Sequence, residues 1–349
     1  MDQPYQTYSH ERNYGCRIRE FVYRGHRCIS MENELLRTVV SADKGTDILE
    51  LLYKPLDLEF LWRSYGGLRP FDHFRPSSPI AAGHFREHYP GGWHEMLPNG
   101  ASPSNYLGAE FGFHGEATHL PWDYRIEVDQ IDHIEVKFIL RTVRLPLLVE
   151  KTISMDSGSS VLRINERIVN ETGQPVEILW GHHPTFGWPF LESGCRVLLP
   201  ACKFVVGDSP LPGSRLASSQ KGDWPFALSK DGDTLDLSII CGPEARSQDF
   251  IRLEDLAEGW FSILNPHKEI GIRLDWDKDV FPVLGFWQVF RGATGYPWYG
   301  MNYLAALEPA CDLPSLSEAV TKGTALRLEP GVPLVTDVTA TVFRGPFKG

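Results

Sequence analysis

Two adjacent histidines, His182 and His183, are followed by three aromatic rings and two prolines within residues 179–190. Histidine exchanges protons near neutral pH, and aromatic faces pack well against the C–H faces of sugars. A buried histidine bonded to backbone carbonyls beside a proline turn is the simpler interpretation of either residue alone. Their combination with the aromatic rings instead predicts a ligand site, placed where the strand-like alternation of residues 161–178 ends.

Three further segments combine histidine, arginine or glutamate with aromatic residues and glycine; they are residues 83–95, 111–117 and 296–309. In the second, His114 precedes Gly115, and a glycine lets the backbone approach a ligand closely. In the third, Glu308 lies between a leucine and a proline at the expected end of a strand. Partial desolvation there would raise the pKa of its carboxyl and favour action as a base.

The elements that must position these residues are predicted to be almost all β. Short runs of alternating apolar and polar residues, separated by turn formers, recur at residues 18–53, 124–178, 202–289 and 334–343. Periodicity disappears over residues 63–105, a length that indicates a site-forming region. One short helix is predicted at residues 315–322, where Ser315 and Glu318 form a capping box and Gly323 ends it. We expect a single domain spanning residues 1–349, built from two packed antiparallel sheets.

Composition excludes some classes of function. The 349-residue chain has a net charge of -11 and a pI of about 5.6, which argues against nucleic acid as a partner. No segment reaches membrane-spanning length and no basic, apolar leader is evident, so we expect a cytoplasmic protein without membrane partners. The six cysteines lack paired zinc spacing and are expected to be reduced thiols. The sequence does not indicate an oligomeric state.

Taken in chain order, these motifs resemble the galactose mutarotase-like superfamily, which includes the aldose 1-epimerases. The resemblance extends from about residue 35 to the C-terminus. It is carried by His114-Gly115, by His183-Pro184-Thr185-Phe186 and by Leu307-Glu308-Pro309. It implies a large antiparallel β-sandwich (supersandwich) with few short helices, and an enzyme that interconverts the anomers of a small-molecule sugar without a cofactor or metal.

The resemblance also implies residue roles. The catalytic residues are expected to be His183 as general acid, Glu308 as general base, and His114, which contacts the substrate. The expected substrate-binding residues are Arg86, Asp249, His182, Trp93 and Trp298. Asp249 is the best match to the family's sugar-binding aspartate, although the usual glycine and aromatic residue do not precede it. His182 and Thr185 also depart from the family pattern, and the identity of the sugar is therefore not predicted.

Two other functions remain open. A sugar-binding protein without catalysis would keep Arg86 and the aromatic residues but would not need both His183 and Glu308. A metal-dependent sugar isomerase or lyase would use the cluster His84, His88, His94 and Glu95, whose spacing follows no familiar zinc pattern.

The arginines of the chain bear on substrate choice. Arginines at residues 69, 75 and 86 cluster in an otherwise acidic chain, and the arginine fork matches carboxylate, phosphate or sulfonate groups.

A second Leu-Glu-Pro string contains Glu329, but Pro330-Gly331 predicts a turn there. We therefore expect Glu329 to be exposed and assign it no role.

Overall fold

The computed structural model describes residues 12–73 and 81–346. The strands of the first half of the chain are β1 (Arg17–Tyr23), β2 (His26–Glu32), β3 (Leu36–Ser41), β4 (Asp47–Tyr53), β5 (Leu58–Glu59), β6 (Trp93–Met96), β7 (Ser104–Tyr106), β8 (Ala109–Phe111), β9 (Asp123–Asp129), β10 (His133–Arg141), β11 (Leu147–Asp156) and β12 (Val161–Asn170). Those of the second half are β13 (Val176–Ile178), β14 (Gly181–Gly187), β15 (Arg196–Leu198), β16 (Lys203–Val206), β17 (Gln220–Asp223), β18 (Phe226–Leu228), β19 (Thr234–Asp236), β20 (Ser247–Glu254), β21 (Trp260–Asn265), β22 (Ile270–Trp276), β23 (Val283–Phe290), β24 (Tyr303–Ala310), β25 (Leu326–Leu328) and β26 (Pro333–Arg344).

Within these described ranges, most strands belong to two large antiparallel sheets. The first has twelve strands in the order β1-β2-β3-β4-β6-β14-β24-β23-β20-β16-β17, with β5 paired to β4. The second has eight, in the order β15-β21-β22-β26-β12-β11-β10-β9. Three two-stranded sheets, β7-β8, β13-β25 and β18-β19, lie at their margins. The prediction of an almost all-β supersandwich is therefore confirmed.

The two sheets pack face to face because their strands alternate. In β10 every second residue is buried, which gives that strand one apolar face. Residues from both sheets share one hydrophobic core, and the ring of Phe186 in β14 lies 5.9 Å from that of Phe261 in β21. The core thus lies between the sheets, and the other face of the twelve-stranded sheet can line a site.

Two α-helices are described, α1 (Ala81–Glu87) and α2 (Leu316–Lys322). In α2 the hydroxyl of Ser315 accepts from the amide of Glu318, whose side chain returns to the Ser315 amide, and Gly323 ends the helix at φ 72°. This confirms the predicted capping box. Helix α1 was not expected from the sequence, and single-turn 3₁₀ segments lie at Lys54–Leu56, Phe71–His73 and Pro243–Ala245.

The segment 179–190 is not an interruption of the sheet, as its composition had suggested. It contains β14, which lies between β6 and β24 in the middle of the twelve-stranded sheet, and every residue of β14 is buried. Pro184 has no amide hydrogen, and the pairing with β24 runs from Gly181–Ala310 to Thr185–Ala306 without a paired residue between them. The strand tolerates the proline because its other neighbour, β6, pairs with residues 181–184.

Two smaller expectations can also be compared with the structure. All six cysteines are free, and five of them are buried. No helix in the described part of the chain is long and apolar enough to cross a membrane.

Candidate active site

Three residues form a row across neighbouring strands of the twelve-stranded sheet. His94 in β6 pairs with His183 in β14. The register that joins Gly181 to Ala310 and Thr185 to Ala306 places His183 opposite Glu308 in β24. Since directly opposed residues share a face, the register of the sheet brings His94, His183 and Glu308 together on the face away from the core.

His183 and Glu308 are in direct contact. The distance from His183 Nε2 to Glu308 Oε1 is 3.2 Å, and both residues are only 4% exposed. The other ring nitrogen, Nδ1, lies 3.0 Å from Thr185 Oγ1, which in turn lies 2.7 Å from the hydroxyl of Tyr89. These contacts fix the plane of the imidazole ring. On the far side of Glu308, Gly285 lies opposite in β23, where an added Cβ would approach Glu308 Oε2 to 3.1 Å.

Burial changes the protonation of this pair. It raises the pKa of Glu308 to about 8 and lowers the pKa of His183 to about 4, because a charged form loses its hydration in both cases. Both groups are then uncharged near neutral pH. The Glu308 carboxyl, which lies 3.2 Å from Nε2 of His183, then carries the one transferable proton of the pair.

His114 completes the polar floor from a loop. Its backbone is left-handed, with φ 62°, and is held by bonds from its amide to Gly100 O (2.8 Å) and from the Leu97 amide to its carbonyl (3.1 Å). Gly115 follows at φ 78°, where an added Cβ would lie 2.1 Å from Leu97 O, so only glycine fits. The ring of His114 lies 5.3 Å from that of His183, and burial lowers its pKa well below the ordinary value.

His114, His183 and Glu308 form the polar floor of a cavity of about 730 Å³, and His94 lies buried against His183. Its wall is rich in aromatic rings, namely Phe85, Tyr89, Phe113, Phe250, Trp287, Tyr296 and Trp298. Arg86, from α1, is the single Lys or Arg among the described residues that line it, and its guanidinium lies over the ring of Phe113 at 5.6 Å. The cavity thus offers stacking surfaces, one cation and an acid-base pair.

The structure brings five of the eight expected site residues to this cavity. They are Arg86, His114, His183, Trp298 and Glu308. It does not bring Trp93, His182 and Asp249 there. These three were expected to bind substrate, and each occupies the core-facing side of its strand instead.

His182 and Trp93 belong to a polar network between the sheets. Trp93 Nε1 donates to His182 Nδ1 over 3.2 Å, and His182 Nε2 lies 2.9 Å from Glu166 Oε2 in β12. Lys151 Nζ, from β11, lies 2.5 Å from Glu95 Oε2 and 3.4 Å from Glu166 Oε1. The adjacent histidines therefore have different surroundings because successive strand residues face opposite sides. The expectation that His182 and Trp93 contact substrate is replaced by a structural role.

Asp249 is displaced from the cavity for the same reason. Its carboxylate accepts from Ser214 Oγ and from the Arg215 amide, both at 2.8 Å, and pairs with Arg215 Nε at 2.7 Å. Its neighbours in β20, Gln248 and Phe250, line the cavity. Successive residues of a strand point to opposite faces, so Asp249 faces away from the cavity that its two neighbours line.

Several cavity residues were assigned no role from the sequence. Phe85 and Tyr89 lie in the segment 83–95 that was singled out, whereas Gln248 and Trp287 carry no motif and only the register of the sheet brings them to the cavity. Of the other two arginines expected to affect substrate choice, Arg69 does not line the cavity and donates to Glu87 O over 2.6 Å. Residue 75 lies outside the described ranges. Glu329 is exposed and pairs with Arg327.

The structure does not bring together the four residues of the metal cluster considered from the sequence, which were His84, His88, His94 and Glu95. Glu95 faces the core, where Trp180 Nε1 donates to it over 2.8 Å. His94 instead lies with His114 and His183, and one ring nitrogen from each falls within 4.8 Å of the others. These three histidines are the residues of the described chain that can hold a metal ion.

The fold is similar to that of solved aldose 1-epimerase and galactose mutarotase-like structures. The provisionally named aldose 1-epimerase of Klebsiella pneumoniae superposes with a TM-score of 0.73 at 17% identity, covering 94% of this chain and 84% of that one. A galactose mutarotase-like protein from Clostridium acetobutylicum gives 0.64 at 16% identity, covering 95% and 99%. The galactose mutarotase related enzyme of Lactobacillus acidophilus gives 0.61 at 16% identity, covering 93% and 97%.

The chain belongs to the family described as a domain of unknown function, DUF4432, whose profile matches residues 23–342. A comparison with curated proteins found no significant match. The structural neighbours confirm the fold expected from the sequence motifs. At these low identities the likeness extends to the fold alone.

Proposed function

We propose that the protein is a carbohydrate mutarotase that interconverts the anomers of a sugar by acid-base ring opening. The observation that carries this proposal is the 3.2 Å contact between His183 Nε2 and Glu308 Oε1 on the floor of the cavity. The anomeric hydroxyl and the ring oxygen are bonded to the same carbon. An acid and a base that act on both must therefore be adjacent, as these two residues are.

The reaction needs no net change in the protons held by the pair. Transfer of the shared proton from Glu308 to His183 gives the carboxylate and the imidazolium. Glu308 then takes the proton of the anomeric hydroxyl while His183 protonates the ring oxygen, and the bond between the anomeric carbon and the ring oxygen breaks to leave an open-chain aldehyde. Rotation about the exposed carbon-carbon bond and closure by the reverse transfers give the other anomer.

The other cavity residues have supporting roles in this proposal. His114 binds a sugar hydroxyl and stabilises charge that develops on oxygen, Trp298 and Trp287 stack on the ring, and Arg86 binds a polar or anionic substituent at the rim. The expected substrate is a small sugar, and the expected location is the cytoplasm. The neighbours named above support this class of substrate through their own names.

Anomer exchange measured by NMR tests the proposal. Wild-type protein, treated with a chelator and dialysed, is incubated with neutral, phosphorylated and carboxylated sugars, and exchange between anomers is compared with buffer. We expect acceleration for at least one sugar, and a loss of about 10²-fold or more in His183→Asn. The control is His267→Asn, an exposed histidine outside the cavity.

The same experiment distinguishes the mutarotase from a sugar-binding protein without catalysis. If wild-type protein binds a sugar by calorimetry but does not accelerate exchange of any sugar that it binds, the sugar-binding protein without catalysis replaces the mutarotase.

A further inference from the structure

Three histidines from separate parts of the chain meet at the cavity floor, where His114 and His183 line the cavity and His94 is buried against them. His94 comes from β6, His183 from β14, and His114 from the loop that is held in a left-handed backbone conformation. Their ring centroids are 4.4 Å apart for His94 and His183, 5.1 Å for His94 and His114, and 5.3 Å for His114 and His183. All three are at most 4% exposed. Proton transfer by His183 and Glu308 does not explain why a third imidazole is buried there.

His94 is the informative member of this cluster. Neither of its ring nitrogens has a hydrogen-bond partner in the described part of the chain, and Nδ1 of His114 has none there either. A buried polar group without a partner costs about 1–3 kcal/mol. The rings of Phe85 and Tyr89 each lie 5.2 Å from that of His94 and supply no acceptor there. The arrangement is therefore costly unless a ligand binds the free nitrogens.

The chemistry of the cluster suits a metal ion. Neutral imidazole is a common ligand of Zn²⁺ and related ions, and burial keeps these three rings neutral. The carboxyl of Glu308, whose Oε1 lies 3.2 Å from His183 Nε2, offers a fourth donor atom, an oxygen, beside the three nitrogens. We propose that His94, His114 and His183, together with Glu308, form a binding site for one divalent transition-metal ion of the Zn²⁺ class.

Binding requires the rings to close on the ion. Zn–N bonds of about 2.1 Å in a tetrahedron place ligand nitrogens about 3.4 Å apart, whereas here they lie within 4.8 Å. Rotation of side chains is sufficient for this contraction, and His94 can rotate without breaking a hydrogen bond. His183 must exchange one partner for the ion, because its two ring nitrogens contact Thr185 and Glu308.

This metal site is a property beyond the proposed mutarotase activity, and metal binding competes with that activity. An imidazole that ligates the ion is held in place by it, and a carboxylate bound to the same ion cannot accept the anomeric proton. An ion in this site and proton transfer by the pair are mutually exclusive. The bound ion therefore inhibits anomer exchange.

Metal titration of tag-free protein tests the proposal. After chelator treatment and dialysis, Zn²⁺ binding is measured by calorimetry, and Co²⁺ binding by the visible absorption that four-coordinate Co²⁺ produces. We expect one ion per chain in wild type. His94→Gln should bind Zn²⁺ at least about 100-fold more weakly, since losing a ligand costs more than the 10–100-fold typical of outer-shell changes. The matched control, His267→Gln, should bind as wild type does.

A folding check accompanies the variants, and His114→Gln provides a second ligand deletion if His94→Gln does not fold. Absence of stoichiometric Zn²⁺ and Co²⁺ binding to wild type overturns the proposal, as does wild-type affinity in either folded variant. Because anomer exchange is assayed on chelator-treated protein, its failure would count against the mutarotase and not against the metal site.

Discussion

Replacing Lys151 with methionine should destabilise the protein severely, because Lys151 is the cation of the polar network between the sheets. It is 4% exposed, and Glu95 and Glu166 are each at most 1% exposed. Methionine keeps most of the apolar stem but removes the ammonium group that lies 2.5 Å from Glu95 Oε2 and 3.4 Å from Glu166 Oε1. Breaking a buried ion pair from one side typically costs about 3–5 kcal/mol, which is our expectation here.

The loss should depend on pH in a direction that the structure determines. Burial and the neighbouring Glu166 carboxylate raise the pKa of Glu95, whereas Lys151 lowers it. Removing Lys151 therefore raises that pKa further, so the folded variant binds more protons than the unfolded chain above the ordinary pKa. Its stability then falls as pH rises. The variant should be closer to wild type at pH 5 than at pH 8.

Urea unfolding of wild type, Lys151→Met and Lys137→Met at both pH values measures this effect. Lys137 is a matched control, since its ammonium lies 3.8 Å from Glu150 at a half-buried position, and its loss should cost about 1 kcal/mol or less. A Lys151→Met variant within 1 kcal/mol of Lys137→Met at both pH values would refute the importance of the network.

Three other predictions concern single residues. Burial raises the pKa of Glu59 to about 7, so above pH 4.5 the folded state binds more protons than the unfolded chain and wild-type stability falls as pH rises. Between pH 4.5 and 7, the free energy of unfolding of Glu59→Gln should therefore rise by up to about 3 kcal/mol relative to wild type, as measured in urea, and an unchanged difference would contradict this. Gly115→Ala should lower the free energy of unfolding by about 3 kcal/mol or more in thermal unfolding, because its Cβ would clash with Leu97 O. Gly108→Ala, at φ 84° but in open space, should lower it by about 1 kcal/mol, and equal losses in the two variants would contradict the prediction. Arg86→Ala should weaken binding of a carboxylated or phosphorylated sugar by about 10-fold or more in calorimetry and leave neutral sugars little changed, and the idea fails if affinity for every sugar is unchanged.

Much of the fold followed from local pattern. Period-2 alternation marked β10 to β12 because each has one face in the core, and the capping box of α2 is a local signal that needs no tertiary context. The segment containing β14 was misread because it is buried on both faces and contains a proline, so it lacks the alternation of a half-exposed strand.

The candidate site was predictable only where a motif names a residue. His114, His183 and Glu308 have such motifs, and they meet in the cavity. His182 and Asp249 lie outside the cavity for one physical reason, since a shift of one position in a strand moves a side chain to the opposite face. Contacts such as Tyr89 with Thr185 depend on residues 96 positions apart, and no local pattern contains that information.

The role of Glu308 as the base is most directly tested by comparing it with Glu329, since both glutamates stand in Leu-Glu-Pro strings. Anomer exchange by NMR is measured for wild type, Glu308→Gln and Glu329→Gln on one sugar that all three bind, at equal occupancy and after chelator treatment. Glutamine preserves size at both positions but cannot accept the anomeric proton. We expect a loss of about 10²-fold or more in Glu308→Gln with binding retained, and wild-type exchange in Glu329→Gln. Exchange at the wild-type rate in Glu308→Gln would contradict the role of Glu308 as the base.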